Sequence, residues 1–208
     1  MSYIEFFFRY FHVLAGIVWI GMLYYFNFVQ TEYFKEAEAG AKSDAMAKLA
    51  PRALWWFRWG AMLTFLTGAY LFHKIGALGT TMPAIWVGAL AGTFMFLNVW
   101  LVIWPNQQIV LGMKEGDGPA AAAKAGLASR TNTLFSGPML LGMLGNKYLA
   151  VPIAEGGSAT GLYVALGTIV ALEINALFGG MGPMKSVMGV IHSSLALMLV
   201  ILGILLYL

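Results

Sequence analysis

The residues best equipped for chemistry in this sequence are three histidines, two arginines and a glutamate, each set in apolar surroundings. His12 lies in Arg9-Tyr10-Phe11-His12-Val13-Leu14-Ala15-Gly16, His192 in Gly189-Val190-Ile191-His192-Ser193-Ser194, and His73 stands beside Lys74. A neutral imidazole is a natural axial ligand for haem iron, and apolar helices rich in glycine and aromatics suit the macrocycle. Gly16 follows His12 by one helical turn on the same face, where a missing side chain lets a flat ring approach. The plainer reading is a histidine hydrogen-bonded to a neighbouring helix, with glycines that only allow close packing. From helical rise, His12 sits about 6 Å outward of its helix midpoint, His192 about 5 Å inward and His73 about 13 Å outward. His12 then differs in depth from His73 by about 7 Å and from His192 by about 11 Å, before tilt.

A second constellation is ionic. Arg58 and Glu173 each fall inside an apolar stretch, at matching depth if the chain crosses a membrane six times. Charges there are costly, so they are expected to pair or to join a network with Asn98, Asn175 or Arg130. The functional version is a proton-transfer carboxylate, or an arginine gripping an anionic substrate or a haem propionate. The plain version is an ion pair that fixes helix packing. Trp104-Pro105-Asn106-Gln107-Gln108 adds an interfacial anchor and a proline expected to end its helix. Asn106 and Gln107 offer hydrogen bonds to a heterocycle, or caps for free carbonyls. Met139 and Met143, one turn apart around Pro138, offer thioethers to iron or simply pack, as expected in a chain with 13 methionines. Trp55, Trp56 and Trp59 read as an interfacial belt.

The elements that carry these residues are membrane helices. Hydrophobic residues make up 60% of the 208 and charged ones 10%, against roughly a quarter charged in a soluble domain. Mean hydropathy is +0.78. Zero cysteines exclude a disulfide framework, thiolate metal sites and c-type haem attachment within these residues. A net charge of +3 comes without any basic run, so membrane orientation explains it better than nucleic acid. Spans of about 20 apolar residues are predicted at Tyr3–Val29, Ala53–Phe72, Pro83–Trp104, Leu134–Pro152, Gly161–Phe178 and Ser186–Tyr207. The fourth is weak, being interrupted by Pro138, Gly142, Gly145 and Lys147. The first is too long for a signal-peptide core and is expected to stay in the protein.

Six spans place Lys35, Lys42, Lys48, Arg52, Lys114, Lys124, Arg130 and Lys185 on one side, against Arg9, Lys74 and Lys147 on the other. That bias puts both termini outside the cytoplasm. The expectation is an all-α, single-domain polytopic bundle over residues 1–208, with cytoplasmic loops at about 31–52 and 105–130. Ala120-Ala121-Ala122-Ala123-Lys124 reads as a short helix within the second loop. Neither loop carries a phosphate-cradling glycine motif.

Several stretches resemble a known family. They are Arg9 to Gly21 running on into Leu23-Tyr24-Tyr25-Phe26-Asn27-Phe28-Val29-Gln30, Pro51 to Ala61, Trp104-Pro105-Asn106-Gln107-Gln108, Ala128-Ser129-Arg130-Thr131-Asn132-Thr133-Leu134, and Gly189-Val190-Ile191-His192. Together they resemble the membrane domain of the bacterial cytochrome-c-linked urate oxidase (urate hydroxylase) family. That family is described as a membrane domain followed by a c-type cytochrome that receives electrons from urate oxidation. The resemblance implies haem-binding histidines at His12 and His192, and a polar site around Arg58, Asn106, Gln107 and Arg130; His73 is the next choice for the second ligand. The first two helices also resemble the small haem-bearing membrane protoporphyrinogen oxidase. The expected function is that of a b-type haem protein of the bacterial inner membrane, passing electrons to or within a complex that includes a separate cytochrome c. The alternatives are a membrane oxidase of urate or a porphyrinogen, and a haem-free structural subunit of a larger respiratory or photosynthetic assembly.

Overall fold

A computed structural model describes residues 2–75, 83–148 and 159–208. Among them there is no strand, and the helices stack end to end into six long rods. The first rod comprises α1 (Tyr3–Tyr24), a π-helical turn at Tyr25–Gln30, and α2 (Thr31–Glu36). The second comprises α3 (Ala39–Asp44), a π-helical turn at Ala45–Leu49, and α4 (Ala50–Lys74). The third comprises α5 (Pro83–Leu97), a π-helical turn at Asn98–Ile103, and α6 (Trp104–Val110). Then follow α7 (Gly118–Tyr148), α8 (Thr160–Phe178), a 3₁₀ turn at Gly182–Lys185, and α9 (Val187–Tyr207).

Local chemistry sets several starts. The Ser2 hydroxyl accepts from the Glu5 amide at 3.3 Å, Asp117 Oδ1 from Ala120 at 3.0 Å, and Ser186 Oγ from Gly189 at 3.0 Å. Each satisfies an amide that the first turn of a helix leaves free. Asp117 therefore starts α7 directly, and Ala120–Lys124 is its opening turn rather than a separate loop helix. The loops expected at 31–52 and 105–130 are mostly helical. Pro105 does not end its helix, because the π-helical turn just before it changes the hydrogen-bonding register that a proline would otherwise break.

Among the described residues, four helices are long and apolar enough to cross a membrane: Tyr3–Glu36, Pro83–Val110, Thr160–Phe178 and Val187–Tyr207. α4 and α7 miss that standard through their own polar residues, yet both pack along the apolar helices. α4 lies along α1, and α7 packs against α5, α6, α8 and α9. Every residue from Arg130 to Ser136 is buried, so the polar face of α7 looks at protein rather than lipid. One of its supposed interruptions, Gly142, is a contact point, and so is Gly137. A Cβ on Gly142 would collide with the backbone of Gly88 on α5, and one on Gly137 would lie 2.7 Å from Ser194 Oγ on α9. The Gly137 amide donates to that same hydroxyl at 3.2 Å. Small residues thus let α7 approach two neighbours closely. Residues 149–152 of the expected fourth span, and the Lys147 side chain, lie outside the described residues.

Candidate functional site

Two cavities open at opposite ends of the rods. The larger encloses about 1050 Å³ between α1, α4, α5 and α7, and apolar side chains form most of its wall. His12 projects into it from α1. Its Nδ1 lies 2.9 Å from the Thr64 carbonyl oxygen, which can only accept, so Nδ1 carries the proton and donates. Thr67 Oγ1 stands 3.2 Å from the same nitrogen. In the neutral ring this leaves a bare lone pair on Nε2, and Nε2 takes no hydrogen bond among the described residues. A carbonyl that fixes the tautomer and swing of an imidazole is the usual outer partner of a metal-binding histidine.

The space for that ring comes from α4. A Cβ on Gly68 would lie 2.9 Å from His12 Cε1, inside van der Waals contact. Gly60, two turns earlier, lets the Trp19 backbone come within 3.1 Å of where its own Cβ would be. Trp19 also lines the cavity, with its indole nitrogen buried and without a hydrogen-bond partner. Met139 and Met143 line it from α7, and Arg9 lines it from α1 with its side chain exposed. Gly16, expected to make room beside His12, faces Thr64 instead, with 3.8 Å to Thr64 Cγ2. It serves helix packing.

The other histidines are elsewhere. His73 is exposed at the end of α4 and does not line the cavity. His192 is exposed on α9, because that helix turns Val190 and Ser194 inward. Two residues on a helix lie about 200° apart, which sends His192 outward. The fold therefore brings neither to His12. Among the described residues no group of three or more His, Cys, Asp or Glu gathers to hold a metal ion.

Between the cavities runs a buried polar layer. Asn98 Nδ2 donates to Asn132 Oδ1 at 3.0 Å and to Glu173 Oε2 at 3.1 Å, while Asn132 Nδ2 donates to the Met95 carbonyl at 2.9 Å. Glu173 thus joins the network expected through Asn98. Arg58 does not pair with it. Its guanidinium lies over the Trp104 ring, 3.3 Å from the centroid, with Trp100 at 5.8 Å. A cation on an aromatic face needs no carboxylate. Asn106 Nδ2 donates to the Val102 carbonyl at 2.7 Å, a backbone cap, and Asn175 closes the end of α8 onto Gly180.

The smaller pocket, about 320 Å³, gathers Gln30, Gln107, Ser129, Arg130 and Lys185 around a floor that includes Phe26, Leu54 and Phe57. The three π-helical turns among the described residues all contribute to its wall, through Phe26, Asn27 and Gln30, through Met46, and through Ile103. Arg130 is 6% exposed. Its Nη1 and the Gln30 Oε1 are buried without hydrogen-bond partners. Gln107 and Arg130, named from the sequence, are brought together here. Gln30, Ser129 and Lys185 were not among the expected site residues, and neither were Gly68, Thr64 or Trp19 in the cavity. The four-residue spacing of Gly60, Thr64 and Gly68 is the one signal that could have found the α1–α4 contact, as a stripe of small residues on one helix face.

A family model described as Urate oxidase N-terminal matches residues 77–205, more than half of the chain. The match takes in α5 to α9 and leaves out α1 and α4, with His12. No curated protein and no solved structure matches.

Proposed function

The chain belongs to the urate oxidase N-terminal family, and from that premise we propose that it is a six-span membrane protein of the bacterial inner membrane that holds haem b in the His12 cavity. It would pass electrons to or within a complex containing a cytochrome c. The observation that carries this reading is the His12 imidazole, which lines the cavity and is locked through Nδ1 to the Thr64 carbonyl, with no hydrogen bond to Nε2 among the described residues. A volume of about 1050 Å³ stands at the upper end of cofactor sites, and the mainly apolar wall suits a macrocycle. When bound, haem supplies one-electron chemistry at potentials set by its ligands and surroundings.

This chain's residues would bind and orient it. His12 is the first ligand. Met139 or Met143 is the second in this reading, since both line the cavity while His73 and His192 stand outside it. Arg9 at the cavity edge is placed to meet a propionate. Topology follows from packing: α4 and α7 would cross alongside the four apolar helices, because α1 and α5 lie along them. The lysines near the small pocket then mark the cytoplasmic end.

A dithionite-reduced minus oxidised spectrum of freshly purified protein tests the reading. A b-type α-band is expected in wild type and its loss in His12→Ala. Absence of the band in wild type overturns it. A second reading, a membrane oxidase of urate, is favoured by the family description alone; consumption of urate by the purified chain in the presence of oxidised cytochrome c separates it from a pure electron carrier.

A further inference from the structure

The small pocket has no part in holding haem, and its chemistry points to a different ligand. Its lining includes two cations, Arg130 and Lys185, and no carboxylate. Arg130 makes no hydrogen bond or ion pair among the described residues. The acid whose field reaches it, Glu32, is held by Lys35 at 2.7 Å. A guanidinium buried to 6% exposure with an unpartnered nitrogen is costly unless something supplies the missing acceptor.

The neutral groups around it are equally unfinished. Ser129 Oγ accepts from Asn27 Nδ2 at 2.8 Å, which leaves its own hydroxyl hydrogen free to donate. Gln107 makes no side-chain hydrogen bond among the described residues. Gln30 presents a buried, unpartnered amide end, and an amide turned either way can meet an acceptor or a donor. Phe26 and Phe57, packed edge to face at 5.6 Å, give one side of the pocket an apolar surface. Three separate rods break α-helical register to build this wall, and π-helical turns of that kind are frequent at functional sites.

We infer that this pocket binds a small anion through a carboxylate or phosphate group, with Arg130 as the buried anchor and Lys185 at the rim. Ser129, Gln107 and Gln30 complete the polar side. At about 320 Å³ the pocket admits roughly one ring beyond the charged group. The anion's source is either a soluble organic acid or the headgroup of an anionic lipid, since the pocket lies at the ends of the rods.

The test uses the full chain in nanodiscs of phosphatidylcholine alone and of phosphatidylcholine with phosphatidylglycerol, read by thermal unfolding. The probes are sodium benzoate and inorganic phosphate against sodium chloride at equal ionic strength. A saturable upward shift on the order of 5 °C with benzoate or phosphate in the neutral discs is expected. Lys185→Ala and Gln107→Ala should each weaken the apparent affinity roughly 3- to 10-fold, and Arg130→Gln should abolish the shift. Should Arg130→Gln fail to fold, the two milder variants still decide, because Lys185 is exposed and Gln107 half-buried. A shift that appears only with phosphatidylglycerol and weakens in the same variants assigns the site to a lipid headgroup. No shift in either membrane, or a shift that all variants keep, overturns the inference. These outcomes are independent of haem, which is read from the visible spectrum.

Discussion

The two cavities are built by the same rods, those that contain α1, α4 and α7, and differ in how their polar groups are finished. At the His12 end a single polar side chain is held by a backbone carbonyl, one of its nitrogens is satisfied and the other is bare. At the Arg130 end several polar groups converge and most remain unfinished, one of them charged and buried. The contrast teaches that burial alone does not mark a site here. In the layer between them, Asn98, Asn132 and Glu173 are as buried as Arg130 but satisfy one another, and they read as structure.

The largest expected effect that would break this contrast is His12→Ala, with complete loss of any b-type band. Gly68→Leu should come close to it without touching the ligand, because a side chain there displaces the imidazole from 2.9 Å. At least a tenfold loss of haem occupancy, measured by pyridine haemochrome, is expected. If both variants keep full occupancy, the cavity is not a haem site. At the other end, Arg130→Met removes an unpartnered buried cation, so in the absence of added anion it should raise stability by about 1–3 kcal/mol in detergent unfolding. A loss of similar size would mean that Arg130 is already satisfied.

Two smaller effects sharpen the middle of the comparison. Asn132→Ala strands the Asn98 amide and the Met95 carbonyl, and should cost about 1–3 kcal/mol. Glu173→Gln keeps an acceptor for Asn98 and should change stability by less than about 1 kcal/mol. If that variant stops electron transfer while its spectrum stays intact, Glu173 carries protons instead of merely packing.

Much of the architecture was readable from residue order. Apolar runs near 20 residues long and the scarcity of charge dictate membrane helices, because the bilayer leaves helix as the form that satisfies its own backbone. The histidine in the first helix was visible as a polar group in a costly place, and the Arg-Thr-Asn-Thr stretch as a point of family resemblance. Their partners were not. Arg58 was expected to meet Glu173 on equal depth, but depth says nothing of azimuth, and α4 turns Arg58 onto Trp104. Pro105 read as a stop because a π-helical turn has no sequence signature in a run of apolar residues. Gly142 read as a break, since nothing local says that a neighbouring helix will use the space.

By itself, then, the sequence determined the class of solvent, the helical periodicity and which polar side chains would be expensive to bury. Only the tertiary structure decided which of them face one another. Helix rotation about its axis is set by side-chain packing against four or five neighbours at once, and a single chain read in order contains no such pairwise information. That rotation is what turned His192 and His73 away from His12, gave His12 its carbonyl partner, and gathered Gln30, Arg130 and Lys185 from three distant segments into one pocket.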